Sequence, residues 1–352
     1  MKKNEHVANF IKAMTFEKPD WIPCTVSCLP ATRTKYEDTL DEIFLQHPNL
    51  FPGFKPGGWK DQKLDRNYRA GRWTDAWGVV WDNCEEGMAA IPVEDKAPIQ
   101  DWAAFDTYTP PDPMQVDDHG DRVDWAARAA SCARAKEHGG LASGHLIHGF
   151  MFMRLFYLRG FSNFMIDVGT HDPRLDRLVS MVLDHNVVLV DKWLECGIEL
   201  LSGGDDMGMQ TSLPIRPEDW RRYLKPCFEA IFGRCRDRGV HVYLHSDGHI
   251  VEIIPDLVEC GVTVINPQIR ANTLKGLVDV AKGTVCINLD LDRQMFPFAT
   301  PAEIKAHIHE CRDALHSHDG GLMLNAECAP DVPLANIKAI CEALEEVGCG
   351  PR

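Results

Sequence analysis

The second half of the chain alternates apolar runs with amphipathic stretches. Gly197-Ile198-Glu199-Leu200-Leu201-Ser202, Val240-His241-Val242-Tyr243-Leu244-His245, Val262-Thr263-Val264-Ile265-Asn266, Val285-Cys286-Ile287-Asn288-Leu289-Asp290 and Gly321-Leu322-Met323-Leu324-Asn325 predict strands. They are short, continuous and rich in β-branched residues, as strands buried on both faces of a parallel sheet are. Between them the pattern predicts helices at 217–238, 249–260 and 274–282, one opened by Thr300-Pro301-Ala302-Glu303, and one starting near Pro333. Thr300 and Glu303 have the spacing of a capping box, with proline at the first helical position. Upstream, Leu141–His148 and Ile22–Val26 predict two more strands. That makes seven of the eight strands of a (β/α)8 TIM barrel, and the second strand, between Pro30 and Trp102, has no distinct signal.

The region 50–115 breaks the alternation. It is rich in Gly, Pro and Trp and predicts loops plus a short antiparallel pair around Trp73–Trp81. The expectation is a single TIM-barrel domain over residues 1–352, with 50–115 as an N-terminal elaboration over the barrel mouth.

Composition narrows the class. A length of 352 residues suits one elaborated barrel, and 45% hydrophobic residues can fill a large core. A net charge of −15 argues against nucleic acid and anionic membranes as partners, because both select clustered Lys and Arg. No apolar run approaches the roughly 20 residues of a membrane span. The 13 cysteines are odd in number and irregularly spaced, and the N-terminus predicts an amphipathic helix rather than an apolar leader. Reduced thiols and a cytoplasmic location follow as expectations.

In such barrels the chemistry sits where the strands end. His245 and Asp247 are two apart at one strand end and so face one spot. A later strand ends in Glu327-Cys328. An imidazole, a carboxylate and a thiol converging on the open face make a three-ligand site with a free fourth position, the pattern of catalytic zinc. The bland alternative is a hydrogen-bonded His–Asp pair and an unrelated buried thiol. Asp205 and Asp206 follow two glycines at another strand end; one or the other is the candidate general acid. Asp290, Glu327, His148, Phe150 and Met151 are candidates for contacting substrate, the last three as the start of an aromatic and methionine-rich run that otherwise belongs to the core. Cys24 and Cys28 read as two free thiols.

Several strings taken together resemble the uroporphyrinogen decarboxylase superfamily. They are Asp75-Ala76-Trp77-Gly78, Leu158-Arg159-Gly160, Leu244-His245-Ser246-Asp247-Gly248, Gly261 to Gln268, and Gly321…Cys328…Pro333…Asn336, in order over nearly the whole chain. The decarboxylase branch carries an N-terminal arginine-rich motif, where this chain has Cys28-Leu29-Pro30-Ala31-Thr32-Arg33. The resemblance therefore points to the corrinoid-dependent methyltransferases and implies zinc on His245, Asp247 and Cys328. Asp247 stands where the thiol-activating members have cysteine, and a harder carboxylate ligand favours an oxygen substrate.

The implied function is transfer of a methyl group from a small methylated substrate, foremost an aryl methyl ether, to the cobalt of a corrinoid protein. Zinc would activate the leaving heteroatom, and Trp59, Trp73 and Trp77 would form an exposed rim for the partner. Three alternatives remain: methylcorrinoid-to-thiol or tetrahydrofolate transfer, a metal-free decarboxylase, and a non-catalytic tetrapyrrole-binding protein.

Overall fold

A computed structural model describes residues 2–60 and 63–348. Its architecture is α/β of the TIM-barrel kind, with parallel strands alternating with helices along the chain. All seven expected strands are present, at Cys24–Cys28, Ser143–His145, Leu200–Gly204, His241–Ser246, Val264–Pro267, Cys286–Asp290 and Leu322–Cys328. Among the described residues, the stretch expected to hold the second barrel strand holds the helix Pro30–Gln46 and a small three-stranded sheet instead. No helix among the described residues is long and apolar enough to cross a membrane.

The chain divides into two compact units. One comprises the residues up to Val7, Arg72–Asp82 and Ile91–Ile265; the other comprises Ala8–Gly71, Asn83–Ala90 and the residues from Asn266 onward.

In the first unit the Leu200–Gly204 strand lies between its parallel neighbours, with Ser143 opposite Leu200, Leu200 opposite His241 and Gly204 opposite His245. The helix Leu175–Glu195 buries Leu178, Val182, Val190 and Trp193 along one stripe, the spacing of an amphipathic helix on a sheet. The single helix expected over 217–238 is two helices, Pro217–Tyr223 and Lys225–Arg236. Pro226 lacks an N–H and its ring clashes with the carbonyl four residues back, which ends one helix and starts the next.

The Asp75–Trp81 hairpin is pinned from inside. Asp75 accepts hydrogen bonds from the backbone N–H groups of Trp77 and Val79 (both 2.9 Å), from Trp81 Nε1 (3.0 Å) and from Arg154 Nη1 (3.2 Å). Arg154 is 2% exposed and also reaches Asp118 (3.1 Å), which accepts from Trp77 Nε1 (2.7 Å). Trp77, expected on an exposed rim, is therefore buried beneath this arginine. Trp73 is half-buried and stacks on Trp81, and Trp59 is half-buried.

In the second unit the Leu322–Cys328 strand lies between Cys24–Cys28 and Cys286–Asp290, all parallel. Thr300 and Glu303 form the expected capping box at the start of Pro301–Leu315. The last helix, Leu334–Gly348, buries Ile337, Ile340, Cys341 and Leu344.

Candidate metal and substrate site

Three strand ends of the first unit set the site. The pairing that puts Gly204 opposite His245 brings the residues just after Gly204 to the level of His245–Asp247. Asp205 N–H donates to His245 O (3.0 Å) and Asp247 N–H donates to Asp206 Oδ1 (2.9 Å). His148 follows the Ser143–His145 strand, and the next residue, Gly149, bonds to Gly204 O (2.7 Å) with φ of +77°. A Cβ on Gly204 would lie 2.5 Å from His148 Cδ2. Glycine at 204 is what lets the imidazole settle against the neighbouring strand.

His148, Asp206 and His245 converge. His148 Nε2 is 3.2 Å from Asp206 Oδ1, and His245 Nε2 is 3.7 Å from the same oxygen. Among the described residues this is the one group in which three His, Cys, Asp or Glu side chains place ligand atoms within 4.8 Å of one another. Asp247 Oδ1 lies 3.1 Å from His245 Nε2, so His245 and Asp247 meet at one spot as the strand alternation required.

The electrostatics are those of an ion pair under partial cover. Burial works to raise the pKa of Asp206, but the hydrogen bond from His148 and the charges of both imidazoles hold it below the ordinary carboxylate value. Burial likewise works to lower His148, and the hydrogen bond and charge of Asp206 outweigh it, leaving His148 above the ordinary imidazole value. His148 is half exposed, while Asp206 and His245 are about a quarter exposed, so the cluster has access to solvent.

Asp205 has a different duty. It is fully buried, and its two carboxylate oxygens accept from the backbone N–H groups of Phe152 (2.6 Å) and Met153 (2.9 Å). Those are the first two residues of the helix Phe152–Arg159, whose own N-cap residue, Met151, supplies no side-chain bond. Asp205 thus caps that helix from a neighbouring strand end. Burial pushes its pKa up to about 7 against these two donors. Phe150 and Met151, expected at the pocket, are core residues; Phe150 packs edge-on against Phe228 and Phe232. The positive φ of Gly149 turns the chain inward directly after His148.

The remaining candidates belong to the second unit. Asp290 Oδ1 accepts from Asn325 Nδ2 (3.1 Å), and Glu327 accepts from Arg293 Nη1 (2.7 Å). The Leu322–Cys328 strand alternates, so Asn325 and Glu327 share one face and Leu324, Ala326 and Cys328 share the other. The bond from Thr25 Oγ1 to Asn325 Oδ1 (2.7 Å) marks the first face, and Cys24 Sγ against Gly348 O (3.2 Å) marks the second as the side under the last helix. Cys328 is on that helix-covered face, wholly buried and in register with Cys28 of the neighbouring strand.

A zinc ion bound at about 2.0–2.1 Å by nitrogen and oxygen in tetrahedral geometry separates its ligand atoms by roughly 3.3 Å. The spacings of 3.2 and 3.7 Å around Asp206 Oδ1 fit that demand, as does the donor chemistry of two imidazoles and a carboxylate. The sequence names all three residues in different capacities: His245 as a metal candidate with Asp247 and Cys328, Asp206 as an acid candidate and His148 as a substrate contact. The signal that joins them is strand register: His145 opposite Ser202 and Gly204 opposite His245 place the three loop starts side by side.

No curated protein matches the chain. Among solved structures it resembles a methyltransferase from Methanosarcina mazei with a TM-score of 0.63, at 16% identity over 97% of this chain and 98% of that one. A B12-independent methionine synthase from Shewanella sp. W3-18-1 aligns with a TM-score of 0.41 at 11% identity, over 64% of this chain and 66% of that one. At these identities the first likeness shows a shared fold, along the full length of both chains. The family model for uroporphyrinogen decarboxylase (URO-D) matches residues 84–347, which takes in Arg154 and Asp118, all three strand ends of the cluster and the Glu327–Cys328 strand end. The chain is a member of the uroporphyrinogen decarboxylase family.

Proposed function

We propose that the protein moves a methyl group from a small methylated substrate to the cobalt of a corrinoid carried by a partner protein, with a zinc ion held by His148, Asp206 and His245. The observation that carries the reading is the convergence of these three side chains on the spacing of a shared ion. Family membership and the fold shared with a methyltransferase support it.

A bound zinc ion supplies Lewis acidity toward the heteroatom that gives up its methyl. The protein's own residues do the rest by position. Asp206, held anionic, keeps both imidazole nitrogens turned to one spot. Asp205 fixes the start of the Phe152 helix beneath them and so sets the depth of the site. Asp247 holds negative charge beside His245 Nε2. A donor set of two nitrogens and a carboxylate oxygen, without thiolate, is hard and suits an oxygen substrate. An aryl methyl ether is the favoured class, because a phenolate, with a conjugate acid near the ordinary phenol pKa of about 10, departs more easily than an alkoxide. Half-exposed His148 opens the site to such a substrate, and in-line approach of the acceptor makes positioning the main contribution of the chain.

The test is demethylation of methoxylated aromatics by the purified protein with a reduced corrinoid protein. Methylcorrinoid and free phenol should appear together in equal amounts, and both should vanish with His245→Ala. Phenol formation independent of the corrinoid, or no turnover of any methoxylated aromatic, would contradict the reading.

A further inference from the structure

Cys28 and Cys328 are the last residues of two adjacent parallel strands and stand opposite each other in register. In-register partners on neighbouring parallel strands point to the same face, with backbones about 4.8 Å apart. That separation falls in the range of roughly 4.4–6.8 Å over which a disulfide spans two Cα atoms. The register alone therefore sets the two thiols on one face at the ends of adjacent strands. The backbone around them is fixed: the N–H of Leu29 (3.2 Å) and the hydroxyl of Thr32 (2.8 Å) both donate to Cys328 O. The two thiols differ in access, Cys28 being part-exposed and Cys328 buried.

We propose that Cys28 and Cys328 are a redox modification site, closing to a disulfide in which Cys28 meets the oxidant and Cys328 resolves it. With a small disulfide such as oxidised glutathione, the Cys28 thiolate attacks one sulfur and expels a glutathione thiolate, leaving a mixed disulfide on Cys28. Cys328, losing its proton to that thiolate, attacks the Cys28 sulfur and expels the second glutathione. Two protein thiols are oxidised and one glutathione disulfide is reduced to two thiols, so the step balances. The environment supports the order of events. The neighbouring Cys328 thiol lowers the Cys28 thiol, Arg33 adds to this against the opposing effect of burial, and Cys328 is correspondingly pushed up. Cys227, Cys235 and Cys311 make the contrast: burial pushes each up to about 12, and they serve as inert internal references.

The test treats the reduced full chain with oxidised glutathione, blocks free thiols in acid and maps peptides without reduction. A Cys28–Cys328 cross-linked peptide should appear and disappear again with dithiothreitol, while Cys227 and Cys235 stay reduced. In Cys328→Ser, Cys28 should stop at the glutathione adduct, and in Cys28→Ser, Cys328 should remain a thiol. The wild-type peptide map decides the matter even if a variant fails to fold. Cys328 recovered as a free thiol beside a glutathionylated Cys28, or both recovered unmodified, would overturn the proposal.

Discussion

The imidazole of His148 stands 3.2 Å from the carboxylate of Asp206, 58 residues further along the chain. The contact exists because Gly204, two residues before Asp206, leaves no Cβ where the imidazole lies. Gly204→Ala should push His148 out of the cluster at small cost to the fold. Metal affinity should fall by about 10-fold or more, the scale seen when a ligand loses its orientation, with little change in thermal midpoint. Unchanged affinity in a competitive chelator titration would show that His148 does not need this approach.

Asp205 is expected to matter for stability rather than chemistry. Asp205→Ala leaves the buried N–H groups of Phe152 and Met153 without their acceptor. At about 1–3 kcal/mol for each unsatisfied buried donor, the loss should be roughly 2–6 kcal/mol. Asp205→Asn keeps one acceptor oxygen and should lose less. Urea unfolding of the two variants checks the order.

Arg154 is buried between Asp75 and Asp118 under the face of Trp77. Replacing it with methionine preserves volume but strands two carboxylates, and breaking a buried pair in this way costs on the order of 3–5 kcal/mol. The variant should melt well below the wild type. A melting temperature within a degree of wild type would mean that the hairpin carboxylates have other support.

One acid-sensitive contribution can be located. Burial works to raise the pKa of Asp256, but the hydrogen bonds and charges of Arg221 and Lys225 hold it below its ordinary value. A carboxyl depressed in the folded state stabilises the protein above its unfolded pKa of about 3.9, and that stability disappears as pH falls through the lower folded value. Asp256→Asn should therefore be less stable than wild type at neutral pH, and the gap should close as the pH drops below about 4. Denaturation midpoints measured from pH 3 to pH 7 give the comparison; a gap constant across that range would rule out the ion pairs as its source.

The strands were legible because their apolar runs are continuous, and the capping box at Thr300 because its spacing is local. The division of the 217–238 stretch at Pro226 follows from a local feature too, a proline inside a helical pattern. The site was legible in part. Two-residue alternation correctly set His245 beside Asp247, but it carries no information on which neighbouring strand ends lie level with them. His148 and Asp206 join the cluster through inter-strand register, a non-local property. The same alternation, applied from Asn325 to Cys328, would have put Cys328 on the helix-covered face with Leu324.

The most direct measurement is the zinc content of freshly purified protein, compared across wild type, His148→Ala, Asp206→Asn, His245→Ala and Cys328→Ser. About one zinc per chain is expected in wild type and in Cys328→Ser, and its loss in the other three. Zinc retained in His148→Ala and Asp206→Asn but lost in Cys328→Ser would contradict the cluster as the metal site. No zinc in any of them would make His148 and Asp206 a metal-free acid–base pair of the decarboxylase kind.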